Sequence, residues 1–258
     1  LFVGLLFLLS QNNFAQRCTT VSSTVESKIS SNTPNLRHGS ISIPIVFHIV
    51  HNNGVENITD NQVIQSLSLL NSAFSNTPPY ASNEGVDIEV EFCLANQDPN
   101  GNPTNGINRI QSPLTEFDKD FQDTDLKNLI FWDTKSYINV WVVKEINSTS
   151  AGNNVAGYAN FPYIHGSKYD GIVIESGFLG MNKNSGIVLV HEMGHYFGLY
   201  HTFEGGCSNS DCTLSGDKVC DTPPDQTNTP VLCNTTVNSC NTDILSGFTT
   251  DENDHINN

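Results

Sequence analysis

Residues 43–51 read Ile-Pro-Ile-Val-Phe-His-Ile-Val-His, a β-branched run that predicts a first strand. Ile58-Thr59-Asp60-Asn61-Gln62 then opens a helix. Thr59 and Gln62 have capping-box spacing, and Ile58 is placed to staple onto Val63. Val63, Leu67, Leu70 and Phe74 follow at helical intervals. Over residues 87–95 the period changes to two, with Ile88, Val90, Phe92 and Leu94 on one face of a second strand. Residues 105–110 predict a short strand, 126–131 a helix, 137–144 a strong strand and 170–175 another. Apolar Ile187, Val188, Leu189 and Val190, with Phe197 and Leu199 further on, mark a buried helix from about Ser185. Beyond His201 the chain turns to Gly, Cys, Pro, Asp, Asn and Thr with little periodicity. The pattern is α+β: a sheet and two main helices, then an irregular segment.

The ends of the chain differ from this middle. The apolar run at residues 1–9 is too short to span a bilayer, and Ala15 stands at a cleavage-like position. Residues 1–15 therefore read as part of a secretory signal peptide. Residues 16–39, rich in Ser, Thr and Asn, read as a pro-segment. Residues 40–258 form the expected single domain, large enough for a sizeable core. The formal charge of −16, with eleven Lys and Arg, leaves no basic stripe for nucleic acid or an anionic membrane. Seven cysteines are present, five of them between Cys207 and Cys240. Behind a signal peptide this clustering predicts disulfides in an extracellular protein. Cys93, between Phe92 and Leu94, reads as a buried free thiol or as a partner of Cys18. The sequons at Asn57, Asn147 and Asn234 are too short to carry an argument.

Chemistry enters at residues 191–201, His-Glu-Met-Gly-His-Tyr-Phe-Gly-Leu-Tyr-His. This fills every fixed position of H-E-x-x-H-x-x-G-x-x-H. Four residues apart on a helix, His191 and His195 share a face and can grip one Zn²⁺. Gly198 permits a positive φ where the chain leaves the helix, and the turn would return His201 as third ligand. Three imidazoles leave a tetrahedral position open for water, and Glu192 stands beside it as general base. A buried helix bearing these groups without a metal would be costly. Two rivals are a thermolysin-like zinc peptidase, which would use a downstream Glu as ligand, and a non-catalytic secreted zinc-binding module. The position of His201 speaks against the first and an intact Glu192 against the second.

The motif resembles that of the metzincins. The stretch 191–207 resembles the pappalysin metallopeptidases, as do Gly216-Asp217-Lys218-Val219-Cys220-Asp221-Thr222-Pro223-Pro224 and Tyr169-Asp170-Gly171-Ile172-Val173-Ile174. The small secreted members of ulilysin and cytophagalysin type are the nearest in pattern. The resemblance implies a two-lobed catalytic domain: a twisted mixed sheet, a backing helix and the zinc helix above a cleft, and an irregular disulfide-held lobe below. It implies a secreted zinc endopeptidase acting on protein or peptide substrates, with Arg preferred near the scissile bond. The edge strand at residues 156–161 would pair with extended substrate. The family's Met-turn would begin about where the chain stops, so the domain is expected to be C-terminally incomplete. The resemblance also implies Cys207 paired with Cys240, Cys233 paired beyond the chain end, and Cys212 and Cys220 closing a small loop. Arg17-Cys18 resembles the pro-segment cysteine that caps zinc in latent relatives. Asp217, Thr222 and Asp225 resemble a calcium-binding loop, with an acidic surface turn as the competing reading.

Overall fold

The computed structural model describes residues 41–241 apart from 84, 152–154, 181, 208–210, 214, 215, 221 and 227–237. Strand β1 (Ile41–His51) leads into helix α1 (Asp60–Phe74), then strands β2 (Val90–Leu94), β3 (Ile107–Gln111) and β4 (Glu116–Asp118). Helix α2 (Lys119–Leu129), strands β5 (Ile138–Val143), β6 (Glu145–Asn147), β7 (Gly157–Ala159) and β8 (Ile172–Glu175), and helix α3 (Lys183–Tyr196) complete the order.

The main sheet runs β2-β1-β5-β8-β7, with β3 pairing the second half of β1. All pairs are parallel except β7 with β8. Parallel strands are buried on both faces, which explains the unbroken apolar runs. Alternation along β1 sends Ile45, Phe47 and Ile49 to one core, while Val46 and Val50 serve the opposite face. Ile138, Val140 and Val142 of β5, with Ile172 and Ile174 of β8, join the first core. It is covered by Val63, Leu67 and Leu70 of α1 and by Leu189 and Met193 of α3. Trp141, Val143 and Val173 face the other way, onto Phe117 and Leu126.

That second face also buries a polar network. His48 Nε2 donates to Asn139 Oδ1 at 2.9 Å, and Asn108 Nδ2 lies 3.2 Å from its Nδ1. Asn139 Nδ2 donates to the Trp132 carbonyl at 3.0 Å. Full burial holds the His48 imidazole neutral, its pKa lowered to about 4 against the pull of Asn139.

Several sequence expectations change here. Thr59 caps α1, its Oγ1 accepting from Gln62 N at 3.2 Å. The reciprocal half of the capping box is not made. Gln62 Nε2 instead donates to the carbonyls of Leu179 (2.7 Å) and Ser176 (3.2 Å), tying α1 to the loop that precedes α3. The second strand begins only at Val90, because Glu89 sits at φ 58°, and Ile88 is exposed. The helix expected at 126–131 starts earlier, at Lys119, where Asp118 caps it by accepting from Asp120 N. Cys93 is disulfide-bonded and not a free thiol, and its partner lies outside the described residues. Residues 1–15 and 16–39, read above as signal peptide and pro-segment, lie outside them too, as do Cys18, Cys233 and the chain's last residues.

Candidate metal centre

Helix α3 is seated by close approach. A Cβ on Gly186 would lie 2.7 Å from Leu69 Cδ1, so α1 and α3 touch where no side chain intervenes. Tyr80 donates its hydroxyl to the Lys183 carbonyl at 2.8 Å, and Asn182 caps the helix start. At the other end Tyr196 OH donates to Asp170 Oδ2 at 3.3 Å, linking the last turn to a residue two positions before β8.

The helix ends in a Schellman motif. Gly198 N–H reaches the His195 carbonyl at 2.9 Å and Leu199 N–H the Gly194 carbonyl at 3.0 Å, with Gly198 at φ 97°. This turn carries His201 back against the helix. His201 Nε2 lies 3.1 Å from His195 Nε2 and 3.3 Å from His191 Nε2. Among the described residues these three form the one group of His, Cys, Asp or Glu side chains converging within 4.8 Å.

The spacing suits a metal. Ligands about 2.0–2.1 Å from a tetrahedral zinc lie about 3.3 Å from one another. His195 Nδ1 is 2.6 Å from the Leu199 carbonyl, a contact that puts the ring proton on Nδ1 and leaves the Nε2 lone pair for a ligand bond. Ring packing of His201 on Phe203, at 4.6 Å and 10°, orients the third imidazole. Burial first, then the neighbouring imidazoles, lower His191 to about 4. Burial and His195 push His201 in the same direction. These rings are neutral at physiological pH, the form that binds metal.

Glu192 is 6 % exposed beside this triad, and its Oε2 has no hydrogen-bond partner. Burial pushes its carboxyl up to about 8, opposed by a hydrogen bond from the Ala159 backbone. A buried carboxylate with one open oxygen next to three lone pairs is a disfavoured arrangement that a bound cation relieves. A Cβ on Gly157 would lie 3.1 Å from Glu192 Cγ, so β7 passes directly over the carboxylate. The register with β8, fixed by Asn160 N to Gly171 O and Glu175 N to Ala156 O, turns the backbone groups of Gly157 and Ala159 outward.

The remaining predicted residues are more dispersed. Cys207 pairs with Cys240 and Cys212 with Cys220, as the resemblance implied. Asp217 and Asp225 are buried and Thr222 is half-buried. Asp225 Oδ1 accepts from Ser239 Oγ at 2.9 Å, and Asp217 Oδ1 from Val219 N at 3.0 Å. The sequence reading missed the Asp170–Tyr196 tie. It also missed Lys127, whose buried Nζ bridges Asp123 Oδ1 (3.0 Å) and Asn160 Oδ1 (2.8 Å) and so bolts α2 to the end of β7. A lysine within a polar helical stretch gives no sign of burial. Among the described residues no helix is long and apolar enough to cross a membrane.

The model of the pregnancy-associated plasma protein-A peptidase family matches residues 120–255. An extracellular metalloprotease of Sordaria macrospora is 28% identical over 213 residues, covering 78% of this chain and 62% of the relative. One from Colletotrichum graminicola is 29% identical over 202 residues, covering 71% and 58%. The chain thus spans about three fifths of the length of these curated relatives. Mature mirolysin of Tannerella forsythia, solved with a cleaved peptide, superposes with a TM-score of 0.58 at 32% identity over 72% of this chain and 73% of that one. The α+β architecture is therefore that of a metzincin, and the chain, matched over more than half its length, belongs to the pregnancy-associated plasma protein-A, or pappalysin, family of metallopeptidases.

Proposed function

We propose that this protein is a secreted zinc endopeptidase in which His191, His195 and His201 hold the metal and Glu192 is the general base. The single observation that carries the reading is the convergence of three Nε2 atoms beside one buried carboxylate with an unpartnered oxygen. A zinc ion held there would supply Lewis acidity to the scissile carbonyl and acidify water. Glu192 takes the proton of the attacking water and delivers it to the leaving amine. The hydrogen bond from Ala159 fixes the carboxylate under the edge strand. The outward backbone groups of Gly157 and the Ala159 carbonyl, which the Glu192 bond leaves open, pair with an extended peptide and hold its scissile bond over the triad.

Extracellular action fits the names of the relatives and the cystine-rich segment. Preference for Arg near the scissile bond follows from resemblance, with the charge of −16 as weak support. A calcium ion at Asp217, Thr222 and Asp225 is supported by the burial of both carboxylates. Residues 16–39 act as a pro-segment in this reading, and Cys18 can cap the zinc only as a free thiol. Mapping the disulfide partner of Cys93 decides that point.

The test is Glu192→Ala. The variant should retain stoichiometric zinc and lose at least about a thousandfold in peptide hydrolysis, the combined range of a positioned base and its orienting role. Turnover near that of wild type would remove Glu192 from the chemistry.

A further inference from the structure

Beyond the end of β7 an aromatic platform leaves the metal centre. Phe161 packs on the ligand-type ring of His195, with centroids 5.4 Å apart. Its plane is within 6° of that of Tyr163, with centroids 6.4 Å apart, so the two rings are offset steps of one surface. Tyr200 backs Phe161 at 4.9 Å and 30°. Lys218 Nζ in turn lies 4.4 Å from the Tyr200 ring centroid. Tyr163 is 85 % exposed. An aromatic ring so open to water, yet aligned with a neighbour and anchored on the site, is a surface awaiting a partner.

The backbone says which partner. The platform begins two residues past Ala159, on the same chain segment that forms the sheet's edge among the described residues. A peptide laid antiparallel on that edge runs opposite to β7. Its residues opposite Phe161 and Tyr163 therefore precede those opposite Gly157 and Ala159. Glu192 lies under Gly157 and Ala159, so the platform receives a side chain from the amino side of the scissile bond. The Lys218 ammonium beside Tyr200 disfavours a second cation there. We propose that Phe161 and Tyr163, backed by Tyr200, form a subsite for an apolar, preferably aromatic, side chain on the amino side of the scissile bond. This rests on the peptide-hydrolysing reading above and adds a second specificity element to it.

The zinc-loaded protein is assayed with peptides that differ only at each of the three positions before the scissile bond, carrying Phe, Leu, Ser, Asp or Arg. One position should prefer Phe over Ser by about tenfold in kcat/KM, the effect of burying and stacking one aromatic side chain. The difference should lie in KM. Tyr163→Ser and Phe161→Ser should each reduce the preference to within about twofold; Tyr163 is too exposed for its loss to unfold the protein. Equilibrium binding of the same peptides to the Glu192→Ala variant should give the same order. Absence of any preference in wild type, its survival in both variants, or a preference for Arg over Phe at the position whose selectivity Tyr163→Ser and Phe161→Ser alter would overturn the assignment. A shift from dimer to monomer in Tyr163→Ser, with peptide preference intact, would make the platform a self-contact and also overturn it. If no peptide is hydrolysed in a chelator-sensitive way, the hydrolytic reading fails, and the binding series on Glu192→Ala alone decides the subsite.

Discussion

The two halves of the candidate metal centre are built by different means. His191, Glu192 and His195 stand on a helix pressed into the main core by Leu189 and Met193. His201 stands on the chain that follows, where the described residues carry no helix or strand. There Cys207–Cys240 and Cys212–Cys220, and hydrogen bonds such as Ser239 to Asp225, take the place of a hydrophobic core. A site that needs atoms about 3 Å apart thus spans a region stabilised by burial and one stabilised by cross-links. The geometry of the first follows from packing. That of the second depends on the Schellman turn and on covalent closure.

The largest separation of the two should come from His201→Ala. Metal affinity should fall by more than about a hundredfold, since even residues supporting a ligand cost up to that much. Thermal unfolding of the metal-free protein should hardly change, because His201 is half-buried at the margin of the core. Chelator competition and a melt measure the two effects. Unchanged metal retention would place the third ligand elsewhere.

Next in size is the cystine. Replacing Cys207 and Cys240 together by serine opens a loop with a sequence separation of 33, worth about 3–4 kcal/mol in chain entropy. If the regions are distinct, hydrogen exchange should rise after residue 202 and remain slow in β1, β5 and β8. Equal acceleration in the sheet would mean one cooperative unit.

Acid should act on the other side of the comparison. His48 titrates at about 4 in the folded protein against 6.5 as its ordinary value. The unfolded chain takes up the proton first, so this contribution is complete above about pH 6.5 and is lost as pH falls to about 4. The loss is about 3 kcal/mol for a shift of this size. Denaturant midpoints of wild type and His48→Gln, taken across that range, should converge as the pH falls. Parallel curves would remove His48 as the acid-labile element.

The smallest effect is at the joint between the regions. Gly198→Ala places a Cβ at φ 97° and 3.2 Å from Pro162 Cγ. It should cost about 1–2 kcal/mol and weaken metal binding more than it lowers the melting temperature. A variant with wild-type metal affinity would show that the turn does not position His201.

Periodicity predicted β1, α1, β5, β8 and α3 closely, because each is long or buried enough for one pattern to dominate. Elements with little apolar content were read less well. α2 begins with Lys-Asp-Phe-Gln-Asp and exposes Phe121, so its first turns show no apolar stripe, only the Asp118 cap. β4 and β6 are three residues each and pair only with one another, too short for any period to register. Gln62 fitted a local capping motif and was captured by more distant carbonyls. Local spacing records which bonds are available, and tertiary packing selects among them.

Residues 191–201 by themselves named the groups of the candidate centre: which imidazoles converge, which carboxylate stands beside them, and the glycine that lets the chain turn back. The reason is that a helix repeat and one positive φ are local properties, readable within eleven residues. Only the tertiary structure decided that β7 lies over Glu192, that Lys127 is buried against Asn160, and that Phe161 and Tyr163 align beside His195. These juxtapositions join residues separated by some thirty positions, and burial, which sets their charge and exposure, exists only once the layers have packed.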